Sequence, residues 1–161
     1  MKLLTIAALT ALCSPVAALA ESSDLQIADA YARSSNPKSG AAFMTIRNTG
    51  DQDCTLGLVS TERADKAELH TSKEDDQGMM RMLPIEGGIE IAAGGEHALA
   101  RGGDHVMLMG LTEPLEEGDE LALTLDFGDC GMVDLTVPVD NKRSGTEDST
   151  MEGGHQPGHS G

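Results

Sequence analysis

Aromatic side chains are almost missing from this chain: among 161 residues there is no Trp, one Tyr and two Phe. Tyr31, Phe43 and Phe127 cannot fill an interior by themselves, so Leu, Ile, Val and Met must do so. Bases are scarce too. Lys2 is the only charge in the first twenty residues, and without it 27 acids face 10 of the 11 bases, a net charge of about -17. That balance repels nucleic acid and anionic membrane surfaces, favours solubility and draws cations close, although diffuse charge does not choose a metal. Long apolar runs are absent after the start of the chain, and no stretch of about 18 or more apolar residues is available to span a bilayer. There is also no His-Glu-x-x-His helix and no Gly-x-Ser-x-Gly elbow, so an enzyme is not expected.

What is present begins with an export signal: Lys2, the short apolar run Leu3 to Leu12, and Ala18-Leu19-Ala20 as a cleavage site. Residues 1–20 are read as a signal peptide, with the mature chain starting near Glu21 in the periplasm. Cys13, preceded by Leu12 rather than by a small residue, is assigned to the discarded peptide. Cys54 and Cys130 remain in a compartment where disulfides persist, and a bridge between them is the preferred reading. A thiolate metal site is the rival, and spacing leaves the pairing open.

From Leu25 to Val139 short apolar runs alternate with turn residues, without a sustained helical period. Strands are expected at 25–33, 41–48, 55–60, 66–71, 79–83, 89–91, 97–100, 105–111, 120–127 and 132–137, with breakers such as Gly87-Gly88, Gly94-Gly95 and Gly102-Gly103-Asp104 between them. The alternation Leu121, Leu123, Leu125, Phe127 marks a half-buried strand. This spacing predicts an all-β sandwich, one domain over 21–140, followed by a flexible Gly- and Ser-rich tail over 141–161.

The chemistry lies in His and Met. His105, Met107 and Met109 share one face of a strand, and Met80 and Met82 share a face of an earlier one. His70 is expected at a strand end, so that a pocket at one end of the sandwich collects His70, Met82, His105 and Met107. Imidazole with thioether suits copper, Cu(I) above all, better than the oxygen-seeking Ca²⁺ and Mg²⁺. Imidazole binds metal only when neutral, so affinity falls below about pH 6.5.

Glu68-Leu69-His70, Met80-Arg81-Met82, the run from Gly88 to Gly95 and the run from His105 to Leu111 carry a family resemblance. Across Ala28 to Val139 the sequence resembles the periplasmic copper chaperones associated with the CuA centre of cytochrome c oxidase, the PCuAC-like proteins, whose fold is a cupredoxin-like Greek-key β-sandwich. The gap from His70 to Met82 holds eleven residues and that from Met82 to His105 twenty-two, each one longer than in the family motif. Both extra residues fall in loops. The resemblance implies Cu(I) held by His70, Met82, His105 and Met107 for transfer, with cytochrome c oxidase subunit II or an assembly factor as acceptor. Met82 is preferred over Met80 because it precedes the Leu83-Pro84-Ile85 exit as the family's ligand does. Met80 and Met109 are assigned to the pocket wall and kept as secondary candidates.

Met151, His155 and His159 in the tail look like the His- and Met-containing extension of some relatives, a candidate site for a second Cu(I) or for Cu(II). A monomer is expected. Competing readings are copper storage or resistance, a blue-copper electron carrier, a zinc protein using His70, His105 and a carboxylate such as Asp104 or Glu90, and a metal-free structural sandwich.

Overall fold

A computed structural model of the chain describes residues 24–143. Among them there is no α-helix and no helix long and apolar enough to cross a membrane. Eleven strands form. The larger sheet runs β1 (Leu25–Asn36), β2 (Ser39–Asn48), β9 (Asp104–Leu111), β5 (Ala64–Glu74), β6 (Met80–Pro84), with β8 (Glu96–Leu99) also on β2. A second layer holds β11 (Met132–Pro138), β10 (Glu120–Asp126) and β4 (Leu58–Ser60), and β3 (Cys54–Leu56) pairs with β7 (Ile89–Ile91). All of these pairings between strands are antiparallel. The expected cupredoxin-like sandwich is the fold.

The core is aliphatic, as the lack of rings requires. Ala42, Met44, Leu69, Val106 and Leu108 of the larger sheet meet Leu56, Val59, Ile91, Leu121, Leu123, Leu125 and Val137 of the other layer in one buried cluster, with Phe127 its single aromatic ring. Each Leu taken out of water there is worth roughly 1.5–3 kcal/mol.

Three local departures from the sequence pattern have physical causes. The segment expected as one strand at 55–60 is two, split at Gly57, whose N–H donates to the Asp126 carbonyl at 2.9 Å, so β3 pairs with β7 and β4 with β10. Strand β5 runs on through the polar Ser72-Lys73-Glu74, because β6 pairs with it as far as Glu74 and its outer face needs no apolar residue. In β1 a bulge between Ala28 and Tyr31, with Asp29 at φ 52°, brings Tyr31 opposite Phe43.

Cys54 and Cys130 are joined, with Cα atoms 5.8 Å apart, tying β3 to the 3-10 turn Gly128–Cys130. Asn141 and Arg143, placed in the tail by the sequence pattern, bond to the sandwich. The Asn141 side chain accepts from Ser34 N at 2.8 Å and donates to Leu115 O at 3.1 Å, and the Arg143 guanidinium lies 4.3 Å from the Tyr31 ring centre.

Candidate metal centre

Register alone gathers the predicted donors. His70 stands opposite His105 across β5 and β9, Glu68 opposite Met107, and Ser72 opposite Met82 across β5 and β6. Directly opposed residues share a face of a sheet, so His70, Met82, His105 and Met107 all project from one side. Their neighbours Leu69, Val106 and Leu108 turn the other way into the core. The donors therefore lie on the outer face of the larger sheet rather than at one end of the sandwich, and His70 is inside its strand rather than at its end.

That face carries a cleft of about 460 Å³ lined by Met80, Met82, His105 and Met107 together with Phe43, Ser72 and two arginines, Arg33 and Arg101, and by no carboxylate. His70 is not part of the lining; its ring packs against that of His105, with centroids 6.1 Å apart. Met109 shares the face, opposite Ser39 and Lys66, and lies outside the cleft. Phe43, 6.2 Å from the His105 ring, and Tyr31 behind it cover the imidazole on its β2 side, leaving His105 only 3% exposed. Met82 is at the opposite extreme, 61% exposed on the edge strand.

The two imidazoles are held in a way that leaves one nitrogen of each spare. His105 Nδ1 lies 3.0 Å from the Gly103 carbonyl oxygen, which can only accept, so Nδ1 carries the proton and Nε2 keeps its lone pair. His70 Nε2 lies 3.3 Å from Glu68 Oε2, which by the same logic leaves the lone pair on Nδ1. Among the described residues only three buried side-chain nitrogens or oxygens lack a partner, and two of them are His105 Nε2 and His70 Nδ1. A buried unsatisfied polar atom costs about 1–3 kcal/mol. A ring nitrogen fixed by an outer hydrogen bond while the other is free is the arrangement of metal-ligating histidine. Hydrogen bonds from Lys66 and then from His70 hold the Glu68 carboxyl below its ordinary range, so it stays an acceptor for the imidazole.

Glu68 was legible in outline, since a residue two before His70 on a strand shares its face. Phe43, Arg33 and Arg101 were not, because they arrive from β2, β1 and the β8–β9 turn, which no spacing relates to the histidines.

Strand β6 is aimed by the turn before it. Asp75 accepts from Gln77 N at 2.9 Å, Met79 N at 3.0 Å and Arg81 Nε at 2.6 Å, and Gly78 takes φ 77°, which L side chains rarely adopt. The Arg81 hydrogen bond, then those from Met79 and Gln77, depress the Asp75 carboxyl below its ordinary value of 3.8. The turn's stabilisation is thus full above that value and is lost as pH falls through the lower, folded-state one. The methyl resonances of Met80 and Met82 are expected to move toward unfolded-peptide positions only on strong acidification. Asp75→Asn should show the same displacement at neutral pH, and unchanged methyl positions in that variant would refute the role of the turn.

Rival centres fit less well. Asp104 follows the pleat away from His105 and bonds His97 at 3.0 Å, and Glu90 sits on β7 in another sheet. No group of three or more His, Cys, Asp or Glu side chains among the described residues is placed to hold a metal ion. A blue-copper site needs a thiolate, and Cys130 is bonded to Cys54. Met151, His155, His159, Cys13 and the expected signal peptide lie outside the described residues.

Comparison with known proteins agrees with this picture. Residues 25–139 match the family described as "Putative lipoprotein LpqE-like". The chain is 33% identical over 115 residues to "Putative lipoprotein Lxx21020" of Leifsonia xyli subsp. xyli, spanning 71% of this chain and 69% of that one. The solution structure of apo-DR1885 from Deinococcus radiodurans superposes with a TM-score of 0.57 at 31% identity, covering 91% of this chain and 97% of that one. The CuI form of DR1885 gives 0.57 over 79% and 87%, also at 31% identity. A copper-bound PCuAC domain from PmoF2 shares the fold, with a TM-score of 0.58 at 20% identity over 73% of this chain and 93% of that one. The chain belongs to the LpqE-like family, built on the cupredoxin-like sandwich of the PCuAC domains.

Proposed function

We propose that this protein is an exported copper(I) chaperone that holds the ion through His70, Met82, His105 and Met107 and passes it on. The observation that carries the reading is the pair of buried, partnerless imidazole nitrogens beside a methionine-lined cleft that lacks carboxylates. Neutral nitrogen and thioether donors suit Cu(I), and without a thiolate the grip stays moderate, as a carrier requires. Likeness at 31% identity to a protein solved with CuI supports the same cargo.

The burial gradient suggests how the ion leaves. His105 and His70 form the sheltered side, and Met82 on the exposed edge is the donor an incoming ligand replaces first. The acceptor is proposed to be the CuA site of cytochrome c oxidase subunit II or one of its assembly factors. Residues 1–20 are read as the export signal and the mature chain as a periplasmic monomer. The lipoprotein names of its relatives accord with export and give Cys13 a second reading, as the lipid-anchoring residue of a leader cut just before it. Met151, His155 and His159 would form a separate, weaker site for a second Cu(I) or for Cu(II).

Anaerobic titration of Cu(I) against a competing chelator tests the core site. One tight equivalent is expected in the parent and in a chain ending at Arg143, and weakened binding, by about 10-fold or more, in Met107→Leu and Met82→Leu. Equal affinity in the parent and both methionine variants would refute the assignment.

A further inference from the structure

Five of the ten described Lys and Arg residues are matched with carboxylates: Arg47 with Glu96, Arg63 with Asp119, Lys66 with Glu68, Arg81 with Asp75 and Lys142 with Glu117. Three arginines escape pairing among the described residues, and all three stand around the outer face of the larger sheet. Arg33 and Arg101 line the cleft with Met82 and His105, and Arg101 and Arg143 line the adjoining hollow over Tyr31 and Phe43, whose single carboxylate is Asp29. Two lysines, Lys38 and Lys73, also lack a carboxylate partner, and neither lines these hollows. In a chain of 27 acids, a rim of unmatched guanidinium groups around an open cleft is a site for anionic groups.

The same rim is where the described chain ends. Arg33 donates to the carbonyl oxygens of Asn141 and Arg143 at 3.4 and 3.3 Å, and Arg143 lies over Tyr31. From there the rings step across the face to the cleft, 4.3 Å from guanidinium to Tyr31, 5.1 Å from Tyr31 to Phe43, and 6.2 Å from Phe43 to His105. The eighteen residues that follow Arg143 include Glu147, Asp148 and Glu152 and no Lys or Arg. At about 3.3 Å per residue, Asp148 reaches about 16 Å from Arg143 and Glu152 about 30 Å, enough to cover those steps.

We propose that the acidic segment Glu147–Glu152 of this chain's own C-terminal tail docks on the Arg33 and Arg101 rim. Tethering supplies it at an effective concentration of the order of millimolar, ahead of most separate partners. The docking does not depend on copper, so it stands or falls apart from the function proposed above.

The test uses the full mature chain, copper-free, and its amide spectrum. Glu147→Gln, Asp148→Asn and Glu152→Gln together leave every residue of the described sandwich unchanged. They are expected to shift the amides of Arg33, Ser34, Ser35, Arg101 and Gly102. Raising salt from about 0.01 M to 1 M, which shortens the screening length from about 30 Å to 3 Å, should produce the same shifts in the parent, and Arg101→Gln should reduce the tail's effect. The proposal is overturned if the neutralised tail leaves those amides where the parent has them at low salt. It is equally overturned if the shifts depend on protein concentration, since a second copy would then be the occupant.

Discussion

His105→Leu is expected to cost at least about 100-fold in Cu(I) affinity while leaving the thermal midpoint of the copper-free protein near that of the parent. The first half follows from losing a proposed ligand, since even outer-shell changes at metal sites cost about 10–100-fold. The second half follows from the surroundings of the ring. His105 is buried, its Nε2 has no partner, and Phe43 packs beside it. Leucine removes an unsatisfied nitrogen, a gain of about 1–3 kcal/mol, against the loss of one hydrogen bond to Gly103 O of about 1 kcal/mol. That carbonyl is not orphaned, because Ser72 N still donates to it at 3.1 Å. A histidine placed only for structure predicts the reverse, a clear drop in melting temperature with no copper binding to lose. Chelator competition and thermal unfolding on the same two proteins separate the cases, and retention of tight binding by His105→Leu would remove this residue from the ligand set.

Removing the Cys54–Cys130 bridge has the second large expected effect, on stability rather than on copper. The bridge closes a loop of 76 residues, and cross-linking a loop of that length constrains the unfolded chain by roughly 4 kcal/mol, with measured losses spread over about 2–5 kcal/mol. For a domain of this size that corresponds to a fall in melting temperature of the order of 10 °C. Cys54 is buried beside Leu56 and Ile91 in the core, so replacing it adds a packing loss, and Cys130→Ser is the cleaner variant. The bridge joins β3 to the turn before β11, whereas the proposed donors sit on β5, β6 and β9. Copper affinity of the folded fraction should therefore be unchanged. A thermal scan with and without a phosphine reductant checks the first statement and chelator competition the second. A melting temperature unmoved by reduction would show that the bridge contributes nothing to the folded state.

The strand pattern was readable because the core is one-sided. Leu121, Leu123 and Leu125 alternate with Ala122, Thr124 and Asp126, and the structure buries the first set and leaves the second at least partly in contact with water. Where that contrast fades, reading fails. Ser72 to Glu74 carry no apolar signal and fall outside the expected strand, yet they continue β5, since pairing with β6 supplies backbone hydrogen bonds without help from side chains. The single run 55–60 concealed a change of partner at Gly57 that leaves no trace in hydropathy.

The candidate donors were legible for a related reason. His105 and Met107 lie two apart on one strand, and the pleat alone puts them on one face. Combining them with His70 and Met82 required the order in which β9, β5 and β6 lie side by side, a long-range property that local spacing does not encode.

Composition and two-residue alternation act locally, so the class of fold, the aliphatic character of the core, the acidic charge and the supply of candidate imidazole and thioether groups are written in the chain itself. It took the folded arrangement to bring His70 opposite His105, to let Gly103 and Glu68 leave one nitrogen of each ring unpartnered, and to set two unmatched arginines, Arg33 and Arg101, along the cleft. Those relations depend on strand order and register, which are fixed by the packing of the whole sandwich.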